Sequence, residues 1–335
     1  MSASPVTPVI FAFAGQGSQY YQMARELYVD NAYFRTVMDE GNHVIEDATG
    51  YSVLAALYGD MRREQPLVGV QLASLSLLLV QWSAAMLAMS WGVTPVAVIG
   101  YSIGEIVAAV VTHALTLGDA ARVLAAQAAG LQRRCEPGYM LAVLAPLRTL
   151  FPERIADEAY VACRNSSDAF VLAGPRRELM ARRSHAREVG CATHVLPVEF
   201  AFHSPLIDAV AADLDAVARG IHATPPRIDC VSCASRGLRT AFDADGLWEI
   251  IRKDVDMPRT VEFVQKRWRW AFFLDLSPSG TMLNLLRKNG ALDGGSFGEA
   301  LLQPMREQRV SLRRVEEALR TVRGERFEAL RGGNG

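Results

Sequence analysis

From Gln65 to Gly104 the chain has no Asp, Glu, Lys or Arg, a run of forty uncharged residues in a sequence of 335 that is 21% charged overall. Surplus charge of either sign is missing too: Lys+Arg 35 against Asp+Glu 36 leaves a net charge of −1. This argues against nucleic acid as the main partner, because counterion release on a phosphate backbone needs clustered cations. Cysteine is scarce. Cys135, Cys163, Cys191, Cys230 and Cys233 are odd in number and scattered, which fits reduced thiols in a cytoplasm better than a disulfide framework. Cys230 and Cys233 form a C-x-x-C, but no second pair at zinc spacing accompanies it, so they read as two small strand residues and no metal is expected. Met1 to Pro8 lacks the basic start of a secretory leader, and without one the Asn165-Ser166-Ser167 sequon carries no weight. Internal repeats and low-complexity blocks are absent as well.

The uncharged run has the length of a membrane span at Leu67 to Trp91, since roughly 20 apolar residues cross a bilayer. It is interrupted by Gln71, Ser74, Ser76, Gln81 and Ser83, then divided by Gly92 and Pro95. The expectation is a helix buried in a large α/β domain and a strand at Val96 to Ile99, with no membrane partner. A hydrophobic content of 50% supplies a sizeable core.

Short apolar runs alternate with helical patterns, the signature of an α/β fold with a mostly parallel sheet. Strands are expected at Val9 to Phe13, Val96 to Ile99, Arg227 to Cys233 and Phe272 to Leu276. Helices are expected at Tyr21 to Leu27, Glu105 to His113, Leu117 to Arg133, Ser204 to Arg219, Asp245 to Lys253, Val261 to Arg269, Met282 to Lys288 and Leu312 to Arg323. Between them the order changes: strand Met140 to Ala145, helix Leu147 to Ala156, strands Tyr160 to Cys163 and Ala169 to Ala173, helix Arg176 to Val189, strand Ala192 to Val198. That β-α-β-β-α-β order is a ferredoxin-like unit. The plan is a large subdomain from 1–136 and 200–325, an inserted small subdomain at 137–199 and a flexible tail at 326–335.

Gly100-Tyr101-Ser102-Ile103-Gly104 is a G-x-S-x-G between an expected strand and an expected helix. In that context the glycines permit a strained turn that presents the Ser102 hydroxyl above a helix N-terminus. A serine nucleophile needs a base. Of the six histidines, His203 stands at the junction of an apolar strand and a helix, in Phe200-Ala201-Phe202-His203-Ser204. His43, His113, His185, His194 and His222 read as surface residues. Gly15-Gln16-Gly17-Ser18-Gln19 follows the first strand, where two glycines allow a tight turn and close approach to a ligand.

These segments, with Arg164-Asn165-Ser166-Ser167 and Leu276-Ser277-Pro278-Ser279-Gly280, resemble in order and spacing the malonyl-CoA:acyl carrier protein transacylase family, which includes the acyltransferase domains of polyketide synthases. The resemblance spans about Val9 to Val310. It implies an α/β-hydrolase-like large subdomain with a parallel sheet plus the inserted ferredoxin-like one. By position Ser102 resembles the nucleophile, His203 its general base and acid, and the backbone N–H groups of Gln16 and Ile103 the oxyanion hole, each such donor worth about 3 kcal/mol. Tyr101, Asn165, Phe202 and Gln127 are the implied substrate contacts.

Three departures qualify the match. Tyr101 stands where the family has His. Gln127, twenty-five residues after Ser102, stands where malonyl-transferring members have an Arg that grips the free carboxylate. Asp254 stands where the family often has a Gln whose main-chain carbonyl orients the histidine, and its own carboxylate is a candidate third triad member. Loss of the Arg resembles the stand-alone acyl hydrolases of trans-acyltransferase polyketide systems. The function implied is hydrolysis of stalled neutral acyl groups from an acyl carrier protein. The alternatives are a transferase for a neutral acyl unit, a non-catalytic carrier-binding subunit and an ordinary esterase. The phosphopantetheine arm belongs to the substrate, so no cofactor is expected. Arg133 and Arg134 are candidates to meet an acidic carrier.

Overall fold

The computed structural model describes residues 7–151, 160–304 and 308–322. Its strands, in chain order, are β1 Val9–Phe13, β2 Ala97–Gly100, β3 Tyr139–Leu144, β4 Tyr160–Ser166, β5 Ala169–Gly174, β6 Ala192–Val195, β7 Asp229–Ser232, β8 Gly237–Leu238, β9 Val255–Asp256, β10 Phe272–Asp275 and β11 Phe297–Ala300. A six-stranded sheet has the order β11-β10-β1-β2-β7-β8. It is parallel except for β8, which returns antiparallel on β7. All five residues of β1 are buried. A strand covered on both faces reads as a continuous apolar run rather than an alternating one, which is why Val9-Ile10-Phe11-Ala12-Phe13 was recognisable.

The second sheet has the order β6-β3-β5-β4-β9. Strands β3, β4, β5 and β6 come from the expected small subdomain and pair antiparallel. Strand β9 pairs parallel with β4 through Cys163↔Val255 and Arg164↔Asp256. The sheet therefore crosses the expected boundary after residue 199: a segment of the large subdomain covers the outer edge of β4, which would otherwise present unpaired backbone groups.

The uncharged run forms the helix Val70–Ser90 and then β2. The helix is long and apolar enough to cross a membrane, yet 78% of its most apolar window is buried inside the protein. It packs against the helices Ala32–Thr49, Gly104–Val111 and Leu117–Arg134.

Most expected elements fall within a few residues of those observed. The helix expected at Tyr21 to Leu27 lies at Arg25–Asp30, and that expected from Ser204 is divided into a 3₁₀ turn, Pro205–Val210, and a helix, Ala211–Ala218. Helix Ala32–Thr49 and strand β11 were not anticipated. The first has a narrow buried stripe of Phe34, Val37, Met38, Gly41, Asn42 and Ile45, an Asn31 side chain capping Phe34 N–H, and Gly50 at φ 70° closing it. Those caps were legible signals. Helix Leu147–Leu150 matches the start of Leu147 to Ala156, whose end lies outside the described residues, as does the tail 326–335.

Candidate active site

Strand β2 delivers the chain at Gly100 into a turn, and the helix Gly104–Val111 follows at once. Ser102, at the apex, has φ 53°, a left-handed conformation that a non-glycine residue adopts at a cost. A Cβ at Gly104 would collide with the carbonyl oxygen of Phe13, and one at Gly100 with the backbone of Glu105. Both glycines of the motif are thus demanded by backbone contact, and the result is a raised serine.

His203 also has positive φ, 58°, and its N–H donates to the Ile251 carbonyl at 3.0 Å. Its Nε2 lies 2.8 Å from Ser102 Oγ and its Nδ1 2.7 Å from the Lys253 carbonyl oxygen. A carbonyl can only accept, so Nδ1 carries the proton and Nε2 is free to take the serine's. Burial pulls the imidazole pKa down to about 4, against the Lys253 carbonyl and the Asp254 charge, which favour the cation. The base is therefore neutral and competent through the ordinary pH range. We expect the acid limb of kcat/KM to fall near pH 4, activity being lost as pH drops through that value and Nε2 takes up a proton. A pH–rate profile with its limb at the ordinary histidine value of about 6.5 would contradict this.

The expectation for Asp254 needs correction on both counts. The carbonyl that orients His203 is that of Lys253, one residue earlier. The Asp254 carboxylate is engaged by Arg164 at 2.6 Å and Arg236 at 2.8 Å, so it is an ion-pair partner between β4 and the large sheet rather than a triad member.

The loop after β1 is held by the uncharged helix. Gln81 Oε1 accepts from Ala14 N–H at 2.7 Å while its Nε2 donates to the Ala14 carbonyl at 3.0 Å. Gln16 Nε2 donates to Ser74 Oγ at 2.9 Å, and Ser74 Oγ donates to the Val70 carbonyl. Two of the polar residues that interrupt the apolar run, Ser74 and Gln81, thus fix the loop that carries Gln16. Among the described residues neither Gln16 N–H nor Ile103 N–H has a hydrogen-bond partner, which leaves both free to receive an oxyanion.

Tyr101 donates its hydroxyl to Asn165 Oδ1 at 2.8 Å, and the Asn165 carbonyl accepts from Asn289 Nδ2 at 2.7 Å. Burial pushes the phenol pKa far up, so it remains a donor. This pair links the serine turn to β4 of the second sheet. Phe202 meets Phe200 edge to face, with centroids 6.4 Å apart. Ser102, His203, Gln16, Ile103, Tyr101, Asn165, Phe202 and Gln127 all line one cavity of about 160 Å³. Asp254 does not.

Arg133 and Arg134 each bond Asp213, at 2.9 and 2.6 Å, so their charge is partly offset within the fold. Sequence reasoning missed the Lys253 carbonyl, the tethers Ser74 and Gln81, and Arg239. Ser74 and Gln81 are seven residues apart on one helix face, a spacing that was readable. Arg239 donates to Glu105 at 3.0 Å beside the serine turn. Among the described residues no group of His, Cys, Asp and Glu could hold a metal ion.

A raised serine, a neutral histidine and two free N–H groups around one cavity, on an α/β-hydrolase-like sheet with a ferredoxin-like sheet beside it, define a serine-dependent acyl-transfer enzyme. The acyl transferase domain model matches residues 10–319, and the chain belongs to that family. It is 28% identical over 322 residues to the polyketide biosynthesis acyltransferase homolog BaeD of Bacillus velezensis, across 96% of this chain and 99% of that protein. Identity to the homolog PksD of Bacillus subtilis is 26% over 312 residues, across 92% and 96%. The loading acyltransferase of the avermectin modular polyketide synthase superposes with a TM-score of 0.82 at 26% identity, across 93% of this chain and 99% of that one.

Proposed function

We propose that the protein is an acyl hydrolase of polyketide biosynthesis that clears stalled neutral acyl groups, such as acetyl, from acyl carrier protein thioesters. One observation carries the reading: among the described residues, the cavity beside Ser102 is lined by no Arg, Lys, Asp or Glu. A malonyl carboxylate brought there would be buried without a cation, at a cost of several kcal/mol. At the position of the carboxylate-gripping Arg stands Gln127, which is uncharged. BaeD and PksD, polyketide biosynthesis acyltransferase homologs matched nearly end to end, support the polyketide setting.

In the proposed reaction His203 Nε2 takes the Ser102 proton as Oγ attacks the thioester carbonyl. The oxyanion meets the N–H groups of Gln16 and Ile103. Collapse breaks the C–S bond, and Nε2–H protonates the departing thiol of the phosphopantetheine arm. Water then gives a proton to Nε2 and attacks the ester; the acid leaves and the proton returns to Oγ. Throughout, the Lys253 carbonyl holds the ring by Nδ1–H. No cofactor of the enzyme's own takes part, and the setting is the cytoplasm. The second reading, favoured by the family name, resolves the same ester with a second carrier's thiol. A non-catalytic carrier-binding subunit is disfavoured by the 2.8 Å Ser102–His203 contact.

The test is release of acid from acetyl-loaded and malonyl-loaded carrier protein. Acetate is expected at least about a hundredfold faster, the equivalent of an unpaired buried carboxylate. Comparable malonate release overturns the neutral-acyl reading.

A further inference from the structure

Gln127 is 1% exposed, and neither its Oε1 nor its Nε2 has a hydrogen-bond partner among the described residues. The other hydroxyl and amide side chains that line the cavity each have a partner within the protein: Gln16 with Ser74, Ser18 with the Gly15 carbonyl, Tyr101 with Asn165, Thr281 with Ser279, Ser102 with His203. The aliphatic lining, including Val171, Leu196, Val198 and Ile251, can offer the amide nothing. An unpaired buried amide costs about 1–3 kcal/mol, which a ligand group able to pair with it would offset. Ser102 and Gln127 share the cavity, so the group that reaches Gln127 belongs to the acyl chain attached at Ser102.

We propose that Gln127 binds a neutral oxygen on the acyl chain, and that the enzyme selects hydroxyacyl and, next, ketoacyl groups over plain alkyl ones. This rests on the hydrolase reading of the same site. The amide Nε2–H can donate to either oxygen, whereas Oε1 can accept only from a hydroxyl. A hydroxyl therefore satisfies whichever atom it meets, and a ketone only one of the two. A cavity near 150 Å³ holds a molecule the size of benzene, about six non-hydrogen atoms, so one of about 160 Å³ admits a four-carbon acyl group bearing an extra oxygen. A site built to bond an oxygen discriminates against the analogue that lacks it, because the protein's polar group is then left unpaired.

The experiment compares kcat/KM for 3-hydroxybutyryl-loaded and butyryl-loaded carrier protein, in the wild type and in Gln127→Met, with acylation of Ser102 followed by intact mass. The wild type is expected to prefer 3-hydroxybutyryl about tenfold or more. In Gln127→Met, an unbranched apolar replacement of similar length, butyryl turnover is expected to rise and the preference to vanish. A purely structural role for Gln127 would lower both rates together and keep their ratio. Equal kcat/KM in the wild type, or a ratio that survives the substitution, overturns the proposal. Absence of any ester on Ser102 with either thioester overturns both the proposal and the hydrolase reading beneath it.

Discussion

Ser102→Ala is expected to lower kcat for thioester hydrolysis by about 10⁴- to 10⁶-fold, with His203→Ala falling in the same range. The two losses should not add. Oγ is a nucleophile only while Nε2, 2.8 Å away, can take its proton, so removing either member stops the same step. A small residual rate is expected in both, since the N–H groups of Gln16 and Ile103 would still polarise the carbonyl. Single-turnover release from acetyl-loaded carrier measures the effect. Intact mass separates the variants further, because Ser102→Ala can form no ester. A double variant much slower than either single one would mean that the pair does not act as a unit.

Arg239→Met is expected to destabilise the fold by about 3–5 kcal/mol, with a fall in Tm of roughly 5–15 °C. The Glu105 carboxylate is fully buried and Arg239 nearly so. Glu105 accepts from Arg239 Nε at 3.0 Å and from Ala234 N–H at 3.1 Å, while Arg239 also donates to Ser232 Oγ at 3.1 Å. Burial pushes the Glu105 carboxyl pKa up, and the guanidinium works against that rise. Without Arg239 a carboxyl in the first turn after Ser102 has lost its cation, so the serine turn loosens from the end of β7 and activity falls with stability. Glu105→Gln combined with Arg239→Met is expected to recover most of the Tm, because the cost lies in leaving one charge unpaired. A single variant within about 1 kcal/mol of the wild type would contradict this account; differential scanning calorimetry decides it.

The serine turn was legible because sterics and chemistry demand the same letters. Gly100 and Gly104 are required by backbone approach, and Ser102 by the reaction. Gln127 was legible through the resemblance alone, by its place twenty-five residues after Ser102. Asp254 was misread for the opposite reason. The group that orients His203 is a main-chain carbonyl, which every residue possesses, so the step from Asp254 to Lys253 leaves no trace in composition. The partners of Ser74 and Gln81 lie 58 and 67 residues away in sequence. Their polarity within an apolar helix was visible, but not that it serves the loop at Ala14 and Gln16. Strand β9 is two residues long, too short for any periodicity, and its pairing with β4 is decided by tertiary contact alone.

Hydrolysis and transfer part at the fate of the acyl group on Ser102. Acetyl-loaded carrier, enzyme and an empty second carrier are mixed, and all three proteins are followed by intact mass while free acetate is quantified. Acetyl is expected to leave the first carrier, pass through a transient ester on Ser102 and appear as stoichiometric acetate, with the second carrier unchanged. Accumulation of acetyl on the second carrier in place of free acetate would contradict it.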